Sequence, residues 1–364
     1  MAGLPAWSMT DVVAAARSKF YKNWSETQLQ RAYRIYRDVM KFAQEEENSH
    51  KYEWTIRTKS ATGASGFYNS FQTVSGVRDT YTASLSVQPR TVMTHKNMVF
   101  DMLQLNKNKG QEGKLWDIMK NALSAAEEDK AETFEYLFSV APYSVSDDDG
   151  WLGWMYWFAR SQTSGGTFTE QLDPSRNGVY RTLRNSTTPT ATLAGQDTST
   201  ADNARLRTLV CTHRGVIDDT TLKSLDRCVR DAEFEMLDNL QGEKPSGQYM
   251  IYWKDDFDSQ YNDLLSAAGG PKTRDWRNSG QKFVSGVPTR AVPSWQNLSG
   301  VNFPAPIVGI NHSNLHFVKA RGEWEMDLVK ETDSPTAKMY PRVHTGQFKC
   351  KDPRTAGFLC HGSW

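Results

Sequence analysis

The sequence predicts an α+β protein made of an amino-terminal arm, a long extended hairpin, one very long helix and a mixed α/β unit. Three observations carry this. Extended runs at Tyr52–Lys59 and Thr80–Val92 flank a Gly/Ser-rich stretch, and about 30 residues from Gln111 to Val140 keep one helical stripe. A helix, a strand and a helix then follow one another between Thr220 and Ala267, the order of an α/β unit.

The arm comes first. From Glu26 to Glu47 the residues Leu29, Tyr33, Tyr36 and Met40 step by four, three and four, which predicts an amphipathic helix with Ser25 as its cap. Its other face carries Arg31, Arg34, Arg37 and Lys41, and Arg17, Lys19 and Lys22 lie upstream, so a solvated basic face is expected. The hairpin follows, its tip at Ser60–Arg78 holding Gly63, Gly66 and Gly76. With so few apolar residues, hairpin and arm are expected to bury little surface within their own subunit.

In the long helix Leu115, Ile118, Met119, Ala122, Ala126, Phe134, Leu137 and Phe138 form the apolar stripe, with Glu127, Glu128, Asp129, Lys130 and Glu132 on the opposite side. At 1.5 Å per residue it is a spine of roughly 45 Å. An aromatic cluster, Gly150–Phe158, comes next, followed by a polar region to Asn203 read as loops and short strands. Helices at Thr220–Leu240 and Phe257–Ala267 enclose a strand at Gln248–Trp253. The chain then returns to strands at Lys282–Val287, Ala305–Asn311, His316–Lys319 and Val343–Lys349, without a tight hairpin signal between them. No internal repeat is present, which disfavours a solenoid or propeller.

Composition narrows the function. Of 364 residues 38% are apolar, the mean hydropathy is −0.63, and no run approaches the ~20 apolar residues of a membrane span, so no membrane partner is expected. Met1–Trp7 lack the basic and apolar pattern of a secretory signal, which predicts folding in the cytoplasm; a chain opening at Met1 also predicts a separate scaffolding protein rather than a cleaved leader. A net charge of +1 gives no general attraction to polyanions. The 12 Trp residues offer large rigid contact areas, suited to a big core or to subunit interfaces.

The search for chemistry finds little. None of the phosphate-cradling, dinucleotide-binding, serine-elbow or zinc-helix motifs occurs. Cys211, Cys228, Cys350 and Cys360 lack metal or redox spacing and read as buried thiols. His312 and His316 would share a face only on a helix, while Asn311–Asn314 reads as a turn. Cys350, Cys360 and His361 with His344 offer only one close pair, whose adjacent side chains diverge in extended chain. Asp147–Asp149 before Gly150 reads as a solvated turn rather than a cation site. No catalytic, cofactor-binding or metal-ligating residue is assigned, and the chain is expected not to be an enzyme.

The last third is more specific. Asp275-Trp276-Arg277-Asn278, then Phe283–Pro288, Val292-Pro293, Pro306–Asn311, a segment with Gly322, and Val343–Arg354 follow in an order that resembles the ending of many tailed-phage major capsid proteins. Gly153–Phe158 is similar to that family's Gly-Leu-x-Tyr-Trp-Ile segment, and arm, hairpin and spine helix precede it in the family's order. Val308 stands where the family usually has Tyr, and Asp352-Pro353-Arg354 where Asn-Arg-Arg is common.

The resemblance implies the capsid fold shared by tailed phages, herpesvirus capsid floors and encapsulins. Residues 1–50 would be the amino-terminal arm, 51–98 the extended loop, 99–150 with 326–364 the peripheral domain and 151–325 the axial domain. It implies self-assembly through hexamers and pentamers into an icosahedral shell around double-stranded DNA held by non-specific contacts. Portal, scaffolding and decoration proteins would be partners, in a virion capsid assembled in the host cytoplasm. Subunit interfaces would exceed ~2,000 Å². Two other functions fit: an encapsulin-like compartment, and a carbohydrate-binding module or hydrolase that uses its Trp residues as sugar platforms.

Overall fold

The apolar positions after Tyr33 do form a helix, α1 (Arg34–Phe42). It belongs to a computed structural model that describes residues 33–47, 50–57, 82–95, 99–101, 112–139, 150–158, 163–164, 167–168, 180–182, 192–197, 206, 208–232, 248–267, 282–297, 306–328, 330–331 and 337–362. Its inner face is Ile35, Tyr36 and Val39. The helix does not run on to Glu47 as predicted. Ala43 is extended and β1 (Gln44–Glu46) pairs in parallel with a later strand, whose ladder bonds outweigh the helix propensity of Gln44, Glu45 and Glu46. Ser25 and Leu29 lie outside the described residues.

The hairpin stems are β2 (Tyr52–Arg57) and β3 (Thr82–Val87), paired antiparallel from Tyr52 opposite Val87 to Arg57 opposite Thr82. The tip lies outside the described residues. The stems do not stand clear of their own subunit: Tyr52, Ile56, Leu85 and Val87 are buried in the main core, as is α1. The period-2 alternation turns one whole face of each strand inward, more apolar surface than a residue count suggests. The second run also breaks at Gln88-Pro89, where Pro cannot donate to a ladder, and β4 (Arg90–Thr94) joins another sheet.

β5 (Val99–Asp101) leads to the spine helix α2 (Glu112–Ser139), within one residue of the prediction at each end. The aromatic cluster folds as the short α3 (Trp154–Trp157), every residue of it buried. Five short strands follow: β6 (Thr163–Ser164), β7 (Thr167–Phe168), β8 (Tyr180–Thr182), β9 (Thr192–Leu193) and β10 (Gln196–Asp197). Then come β11 (Thr208–His213), α4 (Asp219–Asp231), β12 (Tyr249–Lys254) and α5 (Asp255–Ala267). Asp218 caps α4, accepting from the Thr221 amide at 2.7 Å.

β13 (Lys282–Val284) and β14 (Val287–Val292) form a hairpin across Ser285-Gly286, both at positive φ. A 3₁₀ turn, Pro293–Asn297, follows β14. The chain closes with β15 (Ile307–Asn311), β16 (Leu315–Asp327), β17 (Lys330–Glu331), β18 (Ala337–Met339), β19 (Arg342–Cys350), α6 (Pro353–Ala356) and β20 (Gly357–Gly362).

Two sheets organise the molecule. The larger has the order β13-β14-β12-β15-β20-β11-β8, so the last strand sits in its middle; the other runs β1-β16-β19-β4. The large sheet is covered on both faces. Met250, Tyr252, Val308, Ile310 and Leu359 face the main core beneath α1, α2 and α3. Ile251, Trp253, Ile307, Phe358 and Cys360 face a second core beneath α4 and α5. Double coverage explains why β15 is buried at every position.

At Gly309 the Phe358 ring lies over the backbone, and an added Cβ would sit 2.2–2.7 Å from its atoms. Gly309→Ala is therefore expected to cost about 1–3 kcal/mol in urea denaturation, and pairing it with Phe358→Leu should recover part of the loss. A Gly309→Ala chain as stable as the parent would show that the ring moves freely.

Candidate functional site

The polar groups of interest lie where α1, the spine helix and the two sheets meet. α1 brings Asp38 inward, where the Arg37 and Arg290 guanidinium groups reach it at 3.2 and 2.9 Å. Tyr252 donates its hydroxyl proton to Asp38 at 3.0 Å and its oxygen lies 2.8 Å from His312 Nε2. Burial raises the Asp38 carboxyl above the usual aspartate range, against the pull of Arg37 and Tyr252. The cluster closes one wall of a groove of about 730 Å³ lined also by Lys41, Phe42, Lys319 and Trp324.

A second node sits on the spine. Glu127, 1% exposed, contacts Lys130 one turn on, His95 Nε2 at 3.4 Å and Arg342 Nη1 at 3.5 Å. Lys130 also reaches Glu325 at 3.4 Å, and Arg342 reaches Asp327 at 2.8 Å. Burial works against the Lys130 charge, but Tyr36, Glu127 and Glu325 outweigh it and hold the ammonium above its ordinary value. Sequence reasoning placed Glu127 and Lys130 on the side opposite the apolar stripe. The helix is instead covered on two sides, by α1 and by β4 with its neighbours, which a single apolar stripe does not reveal.

The candidates from the sequence fall in separate surroundings. His312 occupies the predicted turn, stacked on Phe42, and burial lowers it to about 3; His316 is a strand residue lowered by burial to about 4. His344 packs edge-on to Phe134 with Nε2 2.9 Å from Thr94 Oγ1, and burial lowers it to about 2. Cys350 belongs to the main core, whereas Cys211, Cys228 and Cys360 meet in the second. All four are buried thiols. Asp147–Asp149 and the His361 side chain lie outside the described residues. Among the described residues no group of three or more His, Cys, Asp and Glu is arranged to hold a metal ion, and no helix is long and apolar enough to cross a membrane.

Where their surroundings are described, the Trp residues lie in or against the two cores, with Trp54 and Trp324 only partly buried. Trp151, Trp154, Trp157, Trp253 and Trp295 are all buried, packed on one another's neighbours in the two cores. They serve packing.

No protein-family model matches the sequence, and no curated protein matches it. Solved structures do. The chain is similar to the capsid of cyanophage A-1(L), with a TM-score of 0.59 and 12% identity over 90% of this chain and 92% of that one. It is also similar to the capsid of an empty GTA particle, with a TM-score of 0.52 and 9% identity over 90% of each chain. At such identities the likeness is one of fold. The α+β fold of this chain matches that of these phage-type capsid proteins.

Proposed function

We propose that this chain is a structural shell subunit, the major capsid protein of a tailed bacteriophage. It assembles with copies of itself, through hexamers and pentamers, into an icosahedral shell around double-stranded DNA. One observation carries the reading: the fold is shared with two capsid proteins along nine tenths of each chain. Burial supports a structural rather than a catalytic role, since the polar clusters tie elements together and Trp151, Trp154, Trp157, Trp253 and Trp295 fill cores.

α1 and the hairpin stems are seated in their own subunit; other surfaces also offer contacts between subunits. Phe283 is 48% exposed on β13, an edge strand of the central sheet among the described residues, a feature that a neighbouring subunit would cover. Portal, scaffolding and decoration proteins are the further partners of such a shell, which forms in the host cytoplasm. A net charge of +1 suits a wall that contacts DNA without clamping it.

Negative-stain electron microscopy with size-exclusion chromatography of the purified chain tests this. Closed shells, tubes or rings of five and six subunits are expected. Shells that take up a protein cargo and exclude DNA would move the assignment to an encapsulin-like compartment. A chain that stays monomeric at every concentration would overturn both.

A further inference from the structure

α1 has no cap of its own. The side chain of Tyr33, which precedes it, makes no capping bond, and the free amides of the first turn are met from the spine helix instead. The Tyr36 amide donates to Glu135 Oε2 at 2.8 Å, and the Ile35 amide also donates to this carboxyl group. Ser294 Oγ, from the 3₁₀ turn, lies 3.4 Å from Oε1. One turn along α2, Ser139 donates to the Glu135 carbonyl at 2.7 Å and accepts from Trp295 Nε1 at 3.3 Å. Glu135, 1% exposed, therefore ties together the spine helix, α1 and the turn after β14.

Its charged and titratable neighbours come from each packed element. α1 presents Asp38 with Arg34, Arg37 and Tyr36, and Tyr33 lies just ahead; β12 presents Tyr252, and β14 presents Arg290. On its own helix Glu132 and Glu128 lie toward Tyr33. The turn adds only the uncharged Ser294 and Trp295. The Arg34 and Arg290 guanidinium groups are engaged elsewhere, by the Ala291 carbonyl at 2.7 Å and by Asp38 at 2.9 Å.

We propose that this seat is a proton-operated joint: with Glu135 protonated, α1 is held closed on the spine helix, and loss of the proton to solvent lets α1 lift away. Two opposed effects meet at the carboxyl. A helix amino terminus favours a negative charge beside it. Burial pushes Glu135 up to about 7; the Tyr36 amide, the Ser294 hydroxyl and the Ile35 amide pull downward, and Asp38 adds to the rise. Burial wins.

A released Glu135 titrates near 4.5 and the seated one near 7, so between those values the seated form binds more protons and seating weakens as pH rises. Across the whole window the closing equilibrium changes by a factor of roughly 300, of which roughly tenfold falls between about pH 6 and about pH 8.5. The joint is a property of the single chain and stands apart from the shell assignment.

Hydrogen exchange of the full-length chain, followed by mass spectrometry and corrected for intrinsic rates, tests it. From about pH 6 to about pH 8.5 the α1 amides should lose roughly tenfold in protection while those of β19 keep theirs. Glu135→Gln keeps an acceptor that does not titrate and should abolish the difference. If that variant does not fold, the wild-type profile decides, and protection that falls with rising pH and levels off above about pH 7 supports the joint. A flat profile, protection already level from about pH 6 upward, or a Gln variant that keeps the tenfold change overturns it.

Discussion

Glu127→Ala will lower the stability of the unassembled chain by about 3–5 kcal/mol in urea denaturation, because it strands buried cations. The carboxylate is the shared partner of Lys130, Arg342 and His95 at a site with almost no access to water. Lys130 keeps Glu325 and Arg342 keeps Asp327, but both of these are more than 40% exposed and lie at the rim. The variant thus loses a charge whose replacement by solvent is blocked. A discriminating second variant is Glu127→Leu with Lys130→Met, which removes the pair rather than breaking it and should recover part of the loss. A single variant within 1 kcal/mol of the parent would mean that water enters the node.

Trp151→Ala should be comparably severe, about 3–5 kcal/mol, through a cavity at the centre of the main core. The indole lies edge-on to Phe134 and Phe317, both at 4.8 Å, and stacks on Phe138 at 5.4 Å, and its Nε1 donates to the Arg90 carbonyl at 2.8 Å. Truncation therefore removes packing from α2 and β16 and leaves the β4 carbonyl without this donor. Trp151→Phe keeps part of the volume and should fall clearly between the two. Equal losses for Ala and Phe would assign the effect to the hydrogen bond rather than to the cavity.

Both predictions concern residues that the sequence read only in part. Gly150–Phe158 stood out by composition, and its burial follows from the cost of exposing so much aromatic surface. Nothing local says that Trp151 packs on Phe317 and Trp324, some 170 residues later. Glu127 shows the opposite failure: a charged residue off the main stripe is solvated by default, and only its cationic partners, Lys130 on its own helix and Arg342 from β19, make burial tolerable. The Ser285-Gly286 hairpin was legible and overlooked, since glycine at the second turn position is what two positive φ angles favour.

The spine helix was fixed by the sequence alone, because 28 residues of helical period leave one backbone conformation that buries the stripe. So were the hairpin stems, by their alternation, and the turn at Asn311–Asn314. The order of motifs in the last third also pointed to the fold that the solved capsids share. Tertiary structure decided the rest. It made strand of Gln44–Glu46 by offering β16 as a partner, seated the hairpin stems in their own subunit, and placed β20 in the middle of the central sheet. It also brought Glu135 to the first turn of α1, some 100 residues away in sequence. The physical reason is common to all of these: local propensity and period are short-range quantities, whereas strand partners, second buried faces and carboxylates that cap another helix depend on which distant surfaces the chain brings together.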